Sequence, residues 1–167
     1  LVLLGAAPPT EKHVRLVLSL DDGRDLVLWD QRGLGTIRLY DPAAFEAALG
    51  PAEIGPDALL ATGPLLRERL GKTRRPVKVA LLDQKALAGV GNIYAAEALF
   101  RARVDPRRPG AELDPKAWDR LARHLVEILE ASIAAKGSSL SDNTYRSTDG
   151  ELGGFAAAHR VYDREGE

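Results

Sequence analysis

Hydrophobic patterning changes character about a third of the way along the chain. Up to residue 50 the apolar residues fall in short runs rich in branched and aromatic side chains, the pattern of strands. His13 to Leu18 and Asp25 to Trp29 are two such runs, and Asp21-Asp22-Gly23 between them is a turn signal, so they predict a hairpin. Gly35 to Tyr40 alternates and predicts a third strand. Three antiparallel strands would leave edges and one face uncovered. The sequence therefore predicts part of a larger sheet, with the rest expected upstream of residue 1.

Helical spacing then takes over. Asp41-Pro42 opens a short helix, with Asp41 as cap and Pro42 at the first helical position, and Gly50-Pro51 closes it. Ile54 to Pro64 is rich in Pro and Gly and is the predicted domain boundary region. Thr62 caps a helix ending near Gly71. Val77 to Ala88 and Asn92 to Arg103 predict two more helices, the second capped by Asn92. Asp114-Pro115 starts the longest helix, which runs to Lys136 and stops at Gly137. Trp118, Leu121, Leu125, Ile128, Leu129 and Ile133 form its expected core stripe. Gly137 to Gly154 is a long polar loop, expected to be mobile or functional, and His159 to Tyr162 predicts a last strand. The fold class is α+β: residues 1–50 as part of an antiparallel β-sandwich, 51–158 as a helical domain that includes the loop 137–154, and 159–167 as a tail.

Composition adds three constraints. The 167 residues contain no cysteine, which excludes disulfides and cysteine-bound metal within the chain. They contain no methionine either, so the chain reads as a piece of a longer protein. No apolar run is long enough to span a membrane, and Leu1 to Leu4 lacks the basic flank and length of a signal peptide. The net charge of −1 hides an asymmetry: residues 67–108 hold 11 basic and 4 acidic side chains, while the segments on either side are each net acidic. A basic face for a polyanion and a solvated surface with scattered arginines fit this equally.

Two places could carry chemistry. Gly89-Val90-Gly91-Asn92 joins two predicted helices, and the free amides behind Asn92 at a helix start suit one phosphate. Arg74, Arg75, Lys78, Lys85, Arg101 and Arg103 crowd nearby in sequence. An ordinary helical hairpin explains the same spacing. The second place is Asp30-Gln-Arg-Gly-Leu34, a turn that would present Arg32 to a base edge and Leu34 as an apolar wedge. His13, His124 and His159 form no metal-ligand pair at helical spacing. No phosphate loop, nucleophile elbow or catalytic carboxylate pair stands out, so these residues alone describe a binding module.

The run RPVKVALLDQKALAGVGNIYAAEALFRAR, Arg75 to Arg103, strongly resembles the helix-two-turn-helix motif of the formamidopyrimidine-DNA glycosylase and endonuclease VIII family. Ile54 to Leu59 resembles that family's LGPEPL linker. Gly137 to Asp142, with Asp149-Gly150 and Gly154-Phe155, resembles its lesion-covering loop. Val161 to Gly166 resembles the YGREG lead into its zinc finger. The likeness fits the formamidopyrimidine branch better than the endonuclease VIII branch. It implies that Asn92 binds a DNA phosphate and that Arg74 and Lys78 lie against DNA. It implies that Arg32 fills the void left by a flipped base, that His13 contacts DNA, and that Tyr162 belongs to the DNA-binding set. Leu34 stands where the family's DPRRFG turn has Phe, and Gln31 and Gly33 depart from its Pro and Arg. Lys12-His13-Val14 lacks the Asp-His pair of the family's KHDHV-like segment.

By the same resemblance the parent is a monomeric bacterial, cytoplasmic and nucleoid-associated repair enzyme acting on double-stranded DNA with oxidised bases. It would act as glycosylase and lyase through an N-terminal proline, helped by a Glu and a Lys, and would carry a structural four-cysteine zinc. This chain starts with Leu1 and has no cysteine, so nucleophile and zinc ligands are expected outside it. A non-catalytic helix-two-turn-helix nucleic-acid binding module is the alternative. The 167-residue chain alone is expected to form no Schiff base; borohydride trapping on damaged duplex DNA checks this, and a covalent adduct would overturn it.

Overall fold

A computed structural model describes residues 2–139 and 145–164. Contacts divide the chain into one unit of Leu1–Leu39 with Ala131–Ala158 and a second of Tyr40–Glu130 with His159–Glu167. This grouping differs from the boundaries read from sequence: residues 40–50 group with the helices, and the loop 137–154 groups with the strands. Leu140 to Thr144 of that loop and Glu165 to Glu167 of the tail lie outside the described residues.

The first unit is built on a three-stranded antiparallel sheet of β1 (Val2–Leu4), β2 (Val14–Ser19) and β3 (Asp25–Trp29), in the order β1-β3-β2. The predicted hairpin forms β2 and β3. Leu3, Val27 and Trp29 are buried together, with Ala6 and Val14 against them. The Trp29 indole N–H donates to the Thr10 carbonyl at 2.9 Å, so its one polar atom is satisfied.

The third strand is β1, and Gly35 to Tyr40 is not a strand. After Trp29 the Asp30 carboxylate accepts from the Gly33 and Gly35 amides at 3.0 and 2.6 Å. These bonds, the Gly35 one first, hold the Asp30 pKa below its ordinary value. They curl the chain away from the sheet, so the alternating segment has no ladder to join. Residues 31–39 are exposed throughout, with Leu39 fully so.

The base of the polar loop is fixed by backbone bonds. Gly137 N–H donates to Ser132 O at 2.8 Å and Gly154 N–H to Ala135 O at 2.8 Å. Ser138 pairs with Gly154 in an isolated bridge, and Leu4 N–H reaches Thr148 O at 2.9 Å.

The second unit is helical: α1 (Pro42–Leu49), α2 (Gly63–Leu70), α3 (Val77–Leu81), α4 (Asn92–Ala102) and most of α5 (Pro115–Ala134). Asp41 caps α1 and Thr62 caps α2 through side-chain oxygens, as their positions predict. The α5 stripe from Trp118 through Leu129 is buried, but Ile133 is 63% exposed. Ile133 falls among the residues that leave this unit for the other, where the helical core no longer covers the stripe. Among the described residues no helix is long and apolar enough to cross a membrane.

Two predicted elements are shorter or absent. The helix expected over Val77 to Ala88 ends at Leu81, because the backbone of residues 84–88 bonds elsewhere. Gly55 N–H donates to Gln84 O, Ala88 N–H to Pro56 O, and Ala58 N–H to Ala88 O, each at 2.8 or 2.9 Å. The strand expected at His159 to Tyr162 is a bend and turn; its cause is given below. A Cβ on Gly55 would sit 2.7 Å from Lys85 O and 2.8 Å from the Ala86 carbonyl carbon. Gly55→Ala is therefore expected to cost about 1–3 kcal/mol, read as a lower urea midpoint at unchanged slope.

Candidate nucleic-acid interface

The centre of the second unit is the turn that joins α3 to α4. Its conformation is set by one side chain. The Gln84 amide nitrogen donates to Leu82 O at 3.1 Å and Val90 O at 3.0 Å, while its oxygen accepts from Gly89 N–H at 2.9 Å. Gly89 has φ +94°, a region that favours glycine, and its missing Cβ faces open space. Leu87 and Val90 are buried, so the turn is anchored from inside while Gly89 and Gly91 stay exposed.

Asn92 is not the cap of α4. Gly91 holds the cap position, with φ −105° and ψ 176°, and Asn92 is the first helical residue. The helix geometry gives the reason: the Gly91 carbonyl already accepts from Ala95 N–H at 2.9 Å. Gly91 has no side chain to bond the first-turn amides. Asn92 is exposed and its side chain has no hydrogen-bond partner among the described residues, so the helix start presents backbone dipole and a carboxamide to solvent. An anion is the ligand that such an arrangement suits.

The positive charge near it is reduced but not removed. Arg75 bonds Asp83 at 2.9 Å and Lys85 bonds Glu53 at 2.6 Å. The Arg75 hydrogen bond holds the Asp83 pKa down, and the Glu53 one raises Lys85. Arg74, Lys78, Arg101 and Arg103 have no carboxylate partner among the described residues. Arg74 is exposed and Lys78 half-buried on α3.

The other expected site residues are placed as follows. Tyr162 is half-buried in the second unit, its ring edge-on to His159 at 5.8 Å. Arg32 and Leu34 lie in the first unit, both exposed, Leu34 at 72%. His13, also there, packs edge-on against Trp29 with ring centroids 5.7 Å apart. The fold therefore brings Arg74, Lys78, Asn92 and Tyr162 into one unit and leaves His13, Arg32 and Leu34 in the other.

Sequence reasoning missed Glu97. It lies on α4 and is fully buried. Its carboxylate accepts from the backbone N–H groups of Arg160, Val161 and Tyr162, at 2.9 to 3.0 Å. Successive amides of a strand point to opposite sides, so three that converge on one carboxylate exclude a strand at 159–162. Burial alone would raise the Glu97 pKa; the three amides outweigh it and hold the group below its ordinary value. The available signal was that Glu97 is the lone charge within the apolar run Ile93 to Phe100.

The chain has no cysteine, and among the described residues no three His, Asp or Glu side chains converge. A four-cysteine zinc does not fit the donors present.

Residues 54–144, just over half of the chain, match the family described as the formamidopyrimidine-DNA glycosylase H2TH domain. The formamidopyrimidine-DNA glycosylase of Novosphingobium aromaticivorans is 45% identical over 161 residues, covering 93% of this chain and 58% of the relative. The crystal structure of the MutM (Fpg) protein of Thermus thermophilus matches with a TM-score of 0.81 and 38% identity, over 99% of this chain and 62% of that one. A Lactococcus lactis Fpg mutant in complex with Fapy-dG containing DNA matches with a TM-score of 0.82 and 30% identity, over 99% and 61%. The chain thus spans about three fifths of the length of these relatives.

A carboxylate whose native pKa is lowered contributes stability that is present above the ordinary Glu range and lost as pH falls through the lowered value. Glu97→Gln is expected to lower stability by about 1–3 kcal/mol at neutral pH. The deficit should shrink as the wild-type carboxylate protonates in acid. Urea unfolding at stepped pH checks this; a deficit that stays constant into acid would show that the carboxylate charge is not what holds the segment.

Proposed function

Since the chain belongs to the formamidopyrimidine-DNA glycosylase H2TH family, we propose that it is the DNA-gripping portion of a base-excision repair enzyme. The whole enzyme hydrolyses the N-glycosidic bond of oxidised purines such as 8-oxoguanine and formamidopyrimidines, then cleaves the abasic strand by β,δ-elimination. The observation that carries this reading is the uncapped start of α4, where Asn92, without a side-chain partner among the described residues, stands behind an internally braced glycine turn. The Lactococcus relative solved with Fapy-dG containing DNA supports the choice of lesion class.

In this reading Asn92 and the first amides of α4 hold one backbone phosphate, with Lys78 and Arg74 adding charge along the same strand. Arg32 and Leu34, on their exposed turn, enter the duplex at the flipped base. Leu34 wedges without the stacking an aromatic residue would give. Tyr162 extends the grip, and His13 adds a contact from the sheet. The attacking proline amine and the zinc ligands belong to the whole enzyme and to none of these residues. The enzyme acts as a monomer.

Asn92→Ala and Lys78→Ala are each expected to weaken binding to a lesion-containing duplex. Lys78→Ala, which removes a charge, should also flatten the plot of log affinity against log salt by about one unit, whereas the neutral Asn92→Ala change should lower affinity with little effect on the slope. Fluorescence anisotropy over a salt series reads both; affinity unchanged in the two variants, with the slope unmoved in Lys78→Ala, would sink the proposed grip.

A further inference from the structure

A second recess in the helical unit shares Lys78, but neither Asn92 nor Arg74, with the proposed phosphate grip. It is a groove of about 440 Å³ floored by Phe100, Val104, Pro106 and Val161, with Lys78 and Arg103 on its rim. Phe100 is large, apolar and 55% exposed there. The walls are preformed: Val104 N–H donates to Leu99 O at 3.0 Å, Lys78 N–H to Pro106 O at 3.2 Å, and Val161 N–H to the Glu97 carboxylate at 2.9 Å.

Charge in the groove is one-sided. Asp105 is its one acidic group, and Arg107 engages it with two bonds at 3.1 and 2.8 Å. Those bonds hold the Asp105 pKa down to about 2. Lys78 and Arg103 keep no carboxylate partner among the described residues. The lining is thus an apolar floor under two unpaired cations.

We propose that this groove docks a short acidic peptide segment of a partner protein, one apolar side chain on Phe100 and Val161 and flanking carboxylates on Arg103 and Lys78. Charge complementarity selects the occupant. A phosphodiester strand would satisfy the cations but has nothing apolar to place on the floor unless a base unstacks. A neutral apolar segment would leave both cations unpaired. The volume suits one large side chain with its neighbours.

The test uses the 167-residue chain and a labelled peptide of aspartates around one phenylalanine. Phe100→Ala removes floor. Arg103→Asn removes rim charge while keeping the left-handed backbone at this helix end (φ +55°), which Asn tolerates. Each variant is expected to raise the peptide Kd about fivefold or more. Substituting lysines for the aspartates, or serine for the phenylalanine, should weaken binding at least as much, and added salt should weaken it further. Asn92→Ala, which impairs the phosphate grip, should leave the peptide Kd unchanged, so the two readings fail separately. Absence of binding, equal binding of the lysine peptide, or a Kd unmoved in both groove variants would overturn the proposal. A loss in Asn92→Ala as large as that in Arg103→Asn would also overturn it, by assigning the signal to the DNA face.

Discussion

The carboxylate of Glu97 is the contact on which the arrangement of the helical unit turns. It is buried, a costly state for a charge, and among the described residues no Lys or Arg pairs with it. Three backbone amides at 160–162 make it tolerable by replacing its hydration shell with fixed dipoles. The same bonds give those amides their acceptors, so neither partner is satisfied without the other. A residue in mid-helix thereby decides the course of a segment more than sixty positions later. Tyr162 and one wall of the apolar groove follow from it.

Much of this architecture was legible in local chemistry. Asp41-Pro42, Thr62 and Asp114-Pro115 are caps whose side-chain oxygens have one obvious use, and each starts a helix. The hairpin around Gly23 was equally readable. The failures share a cause. Gly35 to Tyr40 and His159 to Tyr162 look like strands because their side chains suit one, but a strand also needs a neighbour for its backbone. In the first case Asp30 bends the chain off the sheet; in the second Glu97 gathers the amides to one point. Val77 to Ala88 stops early because residues 54–58 claim its carbonyls and amides. Non-local backbone pairing is what a single sequence hides.

The geometry of the turn before α4 was legible to a similar depth. Glycine turn, basic flank and Asn92 were evident, but the position of Asn92 was off by one. Gly91 takes the cap, which leaves the Asn92 carboxamide unspent. The charge pattern was a coarser guide. Of the six cations between Arg74 and Arg103, Arg75 and Lys85 are tied to carboxylates, so net charge overstates what a polyanion would meet. Glu97 left a single faint signal, a lone charge in an apolar run, because its partners lie more than sixty positions later.

Gln84 has a consequence for the thermodynamics of any ligand at the helix start. A single carboxamide makes three bonds across the turn, and the linker at 55–58 adds three more to the same backbone. The conformational entropy of this loop is therefore surrendered during folding rather than at encounter. An anion arriving at α4 would meet a surface whose shape folding has already fixed. Its association should resemble the docking of rigid bodies, with little ordering to oppose it.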